Sequence, residues 1–137
     1  MGFPGLELKT RMTLVADADT RVCVPVRLYY MDTDPYAVQV SFDVTPDEVV
    51  RWTFARELLA QGITTPAGLG DVKITPVGPL QNRRLSIELE PPDGYARLEG
   101  AAAPIKEWLD KTYTAVAAGQ ESKAVDIDSL LDKLLTH

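Results

Sequence analysis

Apolar residues recur at nearly every second position along three stretches of the first third of the chain, residues 6–14, 22–30 and 36–44. A period of two is typical of a β-strand with one buried face, because successive side chains of a strand point to opposite sides. Short polar breaks separate the stretches, so we expect an antiparallel meander with a common buried face. Pro25 falls on the opposite face of the second stretch, which indicates a sheet edge or a bulge there.

The break Asp32-Thr33-Asp34-Pro35 has two interpretations. Two carboxylates that flank one residue could hold a divalent cation. A calcium loop, however, needs further acidic or amide ligands and a glycine at a fixed position, and these are absent. Aspartate bonds to nearby backbone groups and proline fixes its own backbone dihedral, so the tetrad is good turn chemistry. We therefore predict a turn here, and a second turn at residues 17–20.

Residues 45–62 carry conflicting signals. Thr45-Pro46-Asp47-Glu48 matches a capping box with proline at the first helical position, which would begin a helix that ends at Gly62. In contrast, Val50, Trp52 and Phe54 alternate with polar residues, as in a strand. We predict a strand over 48–54 and a short helix over 55–61, with Trp52 and Phe54 in the core.

The second half of the chain shows the same order of elements. Residues 63–70 are predicted to be a loop, because threonine, proline and glycine dominate them. Strands are predicted at 71–77, 83–90 and 95–102, with Pro-Pro-Asp-Gly at 91–94 as a hairpin turn. The glycines at positions 62, 68 and 70 are interpreted as turn and stop positions.

Helices close the chain. The first is expected to begin near Pro104 and end at Gly119, with Glu107 and Lys111 as an i,i+4 ion pair. Its apolar face comprises Ile105, Trp108, Leu109, Thr112, Tyr113 and Val116. A polar linker over 118–124 leads to a last helix, capped by Asp126 or Asp128, that carries Ile127, Leu130, Leu131, Leu134 and Leu135. The last helix is expected to pack on its own sheet, with contact to another subunit as the alternative.

These elements predict an α+β fold in one domain over residues 1–137: two antiparallel β-meander halves with helices and a C-terminal helix pair. The 14 Lys and Arg against 20 Asp and Glu give a formal charge of −6. Such a charge repels phosphate backbones, so nucleic-acid binding would need a local basic patch.

The densest basic spot is Arg83-Arg84, interpreted as a solvated strand start, with a phosphate or partner contact as the alternative. Four aromatic residues could stack on single-stranded bases, although strand alternation assigns most of them to the core: Tyr29, Tyr30, Tyr36 and Trp52.

No constellation of reactive groups stands out. The single histidine, His137, is the last residue, which argues against a histidine-based triad or metal site. Gly68-Leu69-Gly70 lacks the third glycine of a phosphate loop, since Lys73 stands there. We expect no catalytic, metal-ligating or cofactor-binding residue, no cofactor and no enzymatic activity.

The compartment is inferred from further absences. The single cysteine, Cys23, lies in a strand pattern and is expected to be a small buried side chain; one cysteine allows no intrachain disulfide. A secretory signal and an apolar stretch of membrane-spanning length are both absent. We expect a cytoplasmic protein.

Three ordered blocks carry a family resemblance: Asp34–Val38 (DPYAV), Trp52–Gly62 (WTFARELLAQG) and Pro66–Val72 (PAGLGDV). They resemble the SsgA-like proteins of sporulating actinobacteria, and most of all the SsgB-like members. The resemblance spans nearly the whole chain, and its central block is specific. It implies a role in sporulation-specific cell division without catalysis.

Further expectations follow from that resemblance. SsgB-like members mark future septum sites and recruit the tubulin-like protein FtsZ, helped by SsgA. The family fold is similar to the Whirly single-strand-binding proteins and assembles as a trimer or higher oligomer. The resemblance implies FtsZ, an SsgA-type paralogue and further copies of the chain as partners, and division septa as the location, with the membrane reached through another protein. A Whirly-like single-stranded nucleic-acid binder is the alternative, against which the net charge argues. The partner-binding residues are not assigned.

Overall fold

The computed structural model describes residues 5–15, 20–90 and 95–121. Within them the chain forms eight strands, two α-helices and one turn of 3₁₀ helix at Leu80–Asn82. The strands are β1 Leu6–Val15, β2 Arg21–Tyr30, β3 Ala37–Thr45, β4 Glu48–Ala55, β5 Ala67–Leu69, β6 Val72–Val77, β7 Arg84–Leu89 and β8 Ala96–Ala101. The helices are α1 Arg56–Thr64 and α2 Ala102–Ala115. The predicted turn at 91–94, most of that at 17–20, and the predicted last helix lie outside the described residues.

All the strands belong to one curled antiparallel sheet in the order β4-β3-β2-β1-β8-β7-β6-β5. β1–β4 form one meander and β5–β8 the other, so the two predicted halves are confirmed. Among the described residues, β1 and β8 join the two meanders through three pairs, Thr13–Glu99, Leu14–Leu98 and Val15–Arg97. β2 lies inside the sheet, but its pairing with β3 ends at Val26–Phe42. Pro25, which lacks an N–H to donate, therefore lies where β2 has a neighbour on one side only.

The predicted apolar faces meet in one core. Side chains that are almost wholly buried come from both meanders and both helices: Leu28, Tyr30, Val38, Val40, Ile74, Leu85, Ile87, Leu98, Leu59 and Ile105. α1 packs on β5 and β6, and α2 packs on β1 and β7. The chain is therefore an α+β domain in which two short helices cover the buried face of one sheet.

The strand predicted at residues 48–54 is confirmed, and the competing signal for a helix that begins at 45–48 is not realised. β4 pairs with β3 along its whole length, from Thr45–Glu48 to Ala37–Ala55. The ladder satisfies the backbone groups that a helix would otherwise bond internally, so pairing outweighs the local helix signal. The predicted turn at Asp32–Pro35 is confirmed by two backbone hydrogen bonds, Asp34 N to Met31 O and Ala37 N to Asp34 O, both 3.2 Å.

The predicted loop at 63–70 is wrong. α1 continues to Thr64 because Ile63 lies on its buried face. Ala67–Leu69 then pairs with β6, and Gly70 sits in the two-residue connection with a φ of +61°. Glycine adopts this left-handed conformation without steric cost, which lets a three-residue strand form where the composition suggested irregular chain.

Gly62 is not a helix stop. It lies inside α1, and a Cβ built on it would overlap the Ile74 side chain of β6. The missing side chain lets the helix approach the sheet closely. In α2 the ion pair at i,i+4 spacing is Lys106–Asp110 at 3.2 Å, and the predicted pair Glu107–Lys111 is not among the ion pairs of the described chain. Pro104 is in the first turn of α2 as predicted, but the helix ends at Ala115, before Gly119.

Candidate interaction surface

A groove of about 420 Å³ lies where α1 ends and α2 begins. Its apolar lining includes Ile63 of α1, Leu80 of the 3₁₀ turn and Ala102 of α2. Its charged lining consists of Arg83 and Lys106, both basic. We call this cavity, lined by Ile63, Leu80, Arg83, Ala102 and Lys106, the helix-end groove.

The turn between β6 and β7 places Leu80 at the rim of this groove. Gly78 has a φ of +85°, and Asn82 N donates to Pro79 O at 3.0 Å to close the turn. Leu80 has no place in either strand pattern, and its side chain is 83% exposed. Isolated exposed leucines are common, but this one adjoins a concave surface that Ile63 and Ala102 extend.

The charged side chains that line the helix-end groove are opposite in sign to the net charge of the chain. The chain carries −6, whereas Arg83 and Lys106 both line the groove. The first turn of α2 also faces it and contributes the positive end of the helix dipole. Ala101, the N-cap, provides no side-chain hydrogen bond, and Ala102 N donates to Arg83 O at 3.0 Å. The groove therefore suits a ligand that carries both an anionic group and apolar side chains.

At the opposite end of the two helices lies a buried arginine. Arg56, the first residue of α1, is 1% exposed. Its guanidinium lies over the Tyr30 ring, 4.8 Å from the ring centre, and over the Tyr113 ring, 4.0 Å from the centre. Its Nη1 donates to Thr112 O at 3.0 Å and to Val116 O at 2.8 Å. The arginine thus bonds carbonyls at the C-terminal end of α2, which carries the negative end of that helix's dipole.

One carboxylate completes this cluster. Arg56 Nη2 donates to Glu121 Oε1 at 2.7 Å. We call Arg56, Tyr30, Tyr113 and Glu121 the Arg56 junction. The hydrogen bond from Arg56 holds the pKa of the Glu121 carboxyl below its usual value of 4.5. Burial raises the pKa of Tyr30 to about 12 and raises the pKa of Tyr113.

The Arg56 junction holds the helices rather than a ligand. The guanidinium is enclosed by two rings and already donates to two carbonyls and a carboxylate, so it is not available to a bound molecule. It ties the start of α1 to the end of α2. Because the helices run antiparallel, the other two ends are held side by side, and those ends form walls of the helix-end groove.

The two residues of the predicted basic pair, Arg83 and Arg84, lie in different surroundings. Arg83 lines the helix-end groove, whereas Arg84 lies in β7 with its Nε 3.3 Å from Glu99 Oε1. The aromatic residues are divided too. Tyr30 is fully buried, Tyr29 and Trp52 are half-buried, and Tyr36 is 53% exposed. Phe54 is in the core, and the partly buried Trp52 packs against that core.

The expected burial of Cys23 is wrong. It alternates with the buried Val24, so its side chain lies on the outer face of β2, where it is exposed. Arg11 Nη1 lies 3.9 Å from its Sγ. In the described ranges, His, Cys, Asp and Glu form no group of three that could hold a metal ion. No helix in the same ranges has the length and apolarity needed to span a membrane.

Arg56, the central residue of the junction, was not predicted from the sequence, although a signal was present. Val50, Trp52 and Phe54 face inward along β4, and the same period of two places Arg56 on that inward face. Arg56 N also donates to Tyr36 O at 2.7 Å, which extends the β3–β4 ladder by one bond. No local pattern singles out Leu80 or Lys106, because the groove joins segments that are distant in the chain.

Comparison with known proteins places this geometry in a family. A family model described as Streptomyces sporulation and cell division protein, SsgA, matches residues 24–121. The chain is 42% identical over 131 residues to the sporulation-specific cell division protein SsgB of Thermobifida fusca, covering 94% of this chain and 95% of that one.

Solved structures agree. The crystal structure of an SsgA-like sporulation-specific cell division protein from Thermobifida fusca superposes with a TM-score of 0.86 at 40% identity, covering 94% of each chain. SsgB of Streptomyces coelicolor, in which mutations correlate to longitudinal cell division during sporulation, superposes with a TM-score of 0.82 at 35% identity. That match covers 90% of this chain and 97% of the other.

Proposed function

This chain belongs to the SsgA family of sporulation and cell division proteins, and from that premise we propose that it is a non-catalytic adaptor that recruits FtsZ to sporulation septa and stimulates its assembly. The observation that carries the proposal is the identity of 42% over 131 residues to a sporulation-specific cell division protein. Relatives of that name support a role in sporulation cell division; the FtsZ partner is our proposal.

The chemistry of the described residues is consistent with an adaptor. In the strongest polar cluster, the Arg56 junction, the hydrogen bonds of the guanidinium hold the two helices together. The helix-end groove offers apolar surface and positive charge, its described lining contains no cysteine, histidine or carboxylate, and the single histidine of the chain is at position 137. Such a surface binds rather than reacts, so the protein acts by positioning others.

Oligomerisation would make a weak surface effective. A trimer presents several copies of one patch, and simultaneous contacts with a polymer raise the apparent affinity by orders of magnitude. A filament of FtsZ offers matching repeated sites. We propose that a homo-oligomer in the cytoplasm, trimeric by preference, works at division septa with an SsgA-type paralogue and reaches the membrane through a membrane-bound partner.

The test is co-sedimentation of the purified protein with FtsZ from the same organism, with GTP, over a salt series. We expect saturable co-pelleting and more or longer filaments. The control replaces GTP with GDP, so that FtsZ stays unassembled and the protein remains in the supernatant. Absence of co-pelleting at every salt concentration would overturn FtsZ recruitment. If the protein then bound a labelled single-stranded oligonucleotide, with a steep loss on added salt, the Whirly-like alternative would replace it.

A further inference from the structure

We infer that the helix-end groove is the docking site for a short acidic segment of a partner protein that carries apolar side chains. This inference rests on the proposed adaptor function, because it assigns a surface and a recognition chemistry to it. The partner-contacting surface is otherwise unassigned. Three independent properties of the groove support the assignment: its apolar lining, the sign of its charge and the rigidity of its walls.

The apolar lining supplies the driving force. Ile63, Leu80 and Ala102 come from three separate elements and converge on one concavity of about 420 Å³. That volume falls in the range of ligand-binding clefts and accommodates a few apolar side chains. Leu80, exposed to 83%, is the side chain that a docked segment would cover most completely.

The charge selects the occupant. Arg83 and Lys106 line the groove, and none of the described residues that line it is acidic. Lys106 already pairs with Asp110 at 3.2 Å, whereas Arg83 has no ion pair among those of the described chain. A guanidinium binds carboxylates in a planar, two-point arrangement, so Arg83 is the residue that orients an Asp or Glu of the partner. The acidic remainder of the chain repels an acidic segment, so the two basic side chains favour the groove over the rest of the surface.

The walls of the groove are held in place before binding. The Arg56 junction fixes one end of the helix pair, and Ala102 N to Arg83 O at 3.0 Å ties α2 to the start of β7. A preformed site avoids the cost of ordering its own side chains and backbone on binding. One or two ion pairs and a few buried side chains still give a weak single contact, which suits an oligomer that binds a polymer through many copies.

The first experiment uses fluorescence anisotropy with the full chain and two labelled synthetic peptides of about 12 residues. One alternates Glu with Leu and Ile; the other has Lys in place of every Glu. We expect saturable binding of the acidic peptide only. Arg83→Glu and Leu80→Asp should each weaken it by about tenfold or more. Arg51→Glu is the matched control, because Arg51 is exposed on β4 away from the groove, and its affinity should equal that of the wild type.

A charge exchange keeps the test independent of folding. The double variant Arg83→Glu/Lys106→Glu should lose the acidic peptide and gain the basic one. Its circular dichroism spectrum should match that of the wild type, so that the gain is not the binding of an unfolded acidic chain. Equal weakening by Arg51→Glu would overturn the inference, because the attraction would then be general. It would also be overturned if the acidic peptide did not bind, or if a peptide of residues 122–137 of this chain bound the groove more tightly, since the groove would then belong to the chain itself.

The experiments distinguish a failure of docking in the groove from a failure of FtsZ recruitment. If the groove variants lose the acidic peptide but co-sediment with FtsZ as well as the wild type does, FtsZ recruitment stands and the groove is not its docking site. If the wild type binds the acidic peptide but does not co-sediment with FtsZ, the groove stands as a docking site and FtsZ recruitment falls. Loss of both in Arg83→Glu, with Arg51→Glu unaffected, is the result that we expect.

Discussion

The guanidinium carbon of Arg56 lies 4.0 Å from the centre of the Tyr113 ring. This contact joins the first residue of α1 to the last turn of α2, although the two residues are 57 positions apart in the chain. A cation over an aromatic face is attracted by the ring quadrupole, and more strongly when water is excluded. The pair is therefore central to how the two helices are held on the sheet.

Replacing Arg56 with methionine should destabilise the protein by about 3 kcal/mol, because Val116 O and the Glu121 carboxylate lose the Arg56 donor and Thr112 O loses one of its two donors. Chemical denaturation monitored by circular dichroism gives the free energy of unfolding. Arg51→Met, at an exposed position on β4, is the control and should change it little. Equal stability of Arg56→Met and the wild type would show that the junction contributes nothing net.

Stability should fall at acid pH through Glu121. The folded pKa of this carboxyl is lowered by the hydrogen bond from Arg56, so its contribution is present above the usual pKa of 4.5 and is lost as the pH falls through the folded value. Glu121→Gln removes this contribution. The difference in unfolding free energy between wild type and variant should therefore shrink as the pH is lowered from 6 towards 3 (about the range of carboxylate titration). A difference that is independent of pH would contradict the assigned cause.

Stability should also fall at alkaline pH through Tyr30. Burial raises its pKa to about 12 from 10.0, so the neutral phenol is favoured by folding. This stabilisation is fully present below pH 10.0 and is lost as the pH rises towards 12. Thermal midpoints measured across this range should decline less steeply for Tyr30→Phe than for the wild type. The variant also loses the hydrogen bond from Tyr30 Oη to Pro35 O at 2.9 Å, so the slope with pH is the diagnostic quantity.

Gly62→Ala should destabilise the protein by about 1–3 kcal/mol, because the added methyl group would overlap Ile74. At an exposed helical site the same change would stabilise by about 0.5–1 kcal/mol, so the sign of the effect reports the close approach of α1 to β6. Gln61→Ala, one residue earlier on the exposed side of α1, is the comparison. A stabilised Gly62→Ala variant would mean that the helix moves away from the sheet at little cost.

Cys23 should react with a maleimide in the native protein, because its thiol is exposed on the outer face of β2. Mass spectrometry should show one label per chain without denaturant, and none for Cys23→Ser. A native thiol that reacts only after unfolding would contradict the outward orientation. Since the label lies outside the core, the labelled protein should retain the thermal midpoint of the unlabelled one.

The strand patterns and the antiparallel meanders could be predicted from the sequence, because a period of two reports a strand with one buried face wherever it occurs. The same period of two, extended from Phe54 to Arg56, indicates that the Arg56 side chain faces inward. The errors fell where the structure of a short segment depends on contact with another element rather than on its own composition. Ala67–Leu69 is a strand only because β6 pairs with it, and Gly62 is buried only because Ile74 lies against it.

The amino-acid sequence by itself determined the α+β class, the two-meander organisation and, through its three ordered blocks, the resemblance to the SsgA-like proteins. Periodicity and motifs are local properties, and the chain carries them wherever it folds. Only the tertiary structure decided that Arg56 is enclosed by Tyr30 and Tyr113, and that Leu80, Arg83 and Lys106 share one groove. Those relationships join residues from different elements, and they exist only once the sheet has curled and brought the helix ends together.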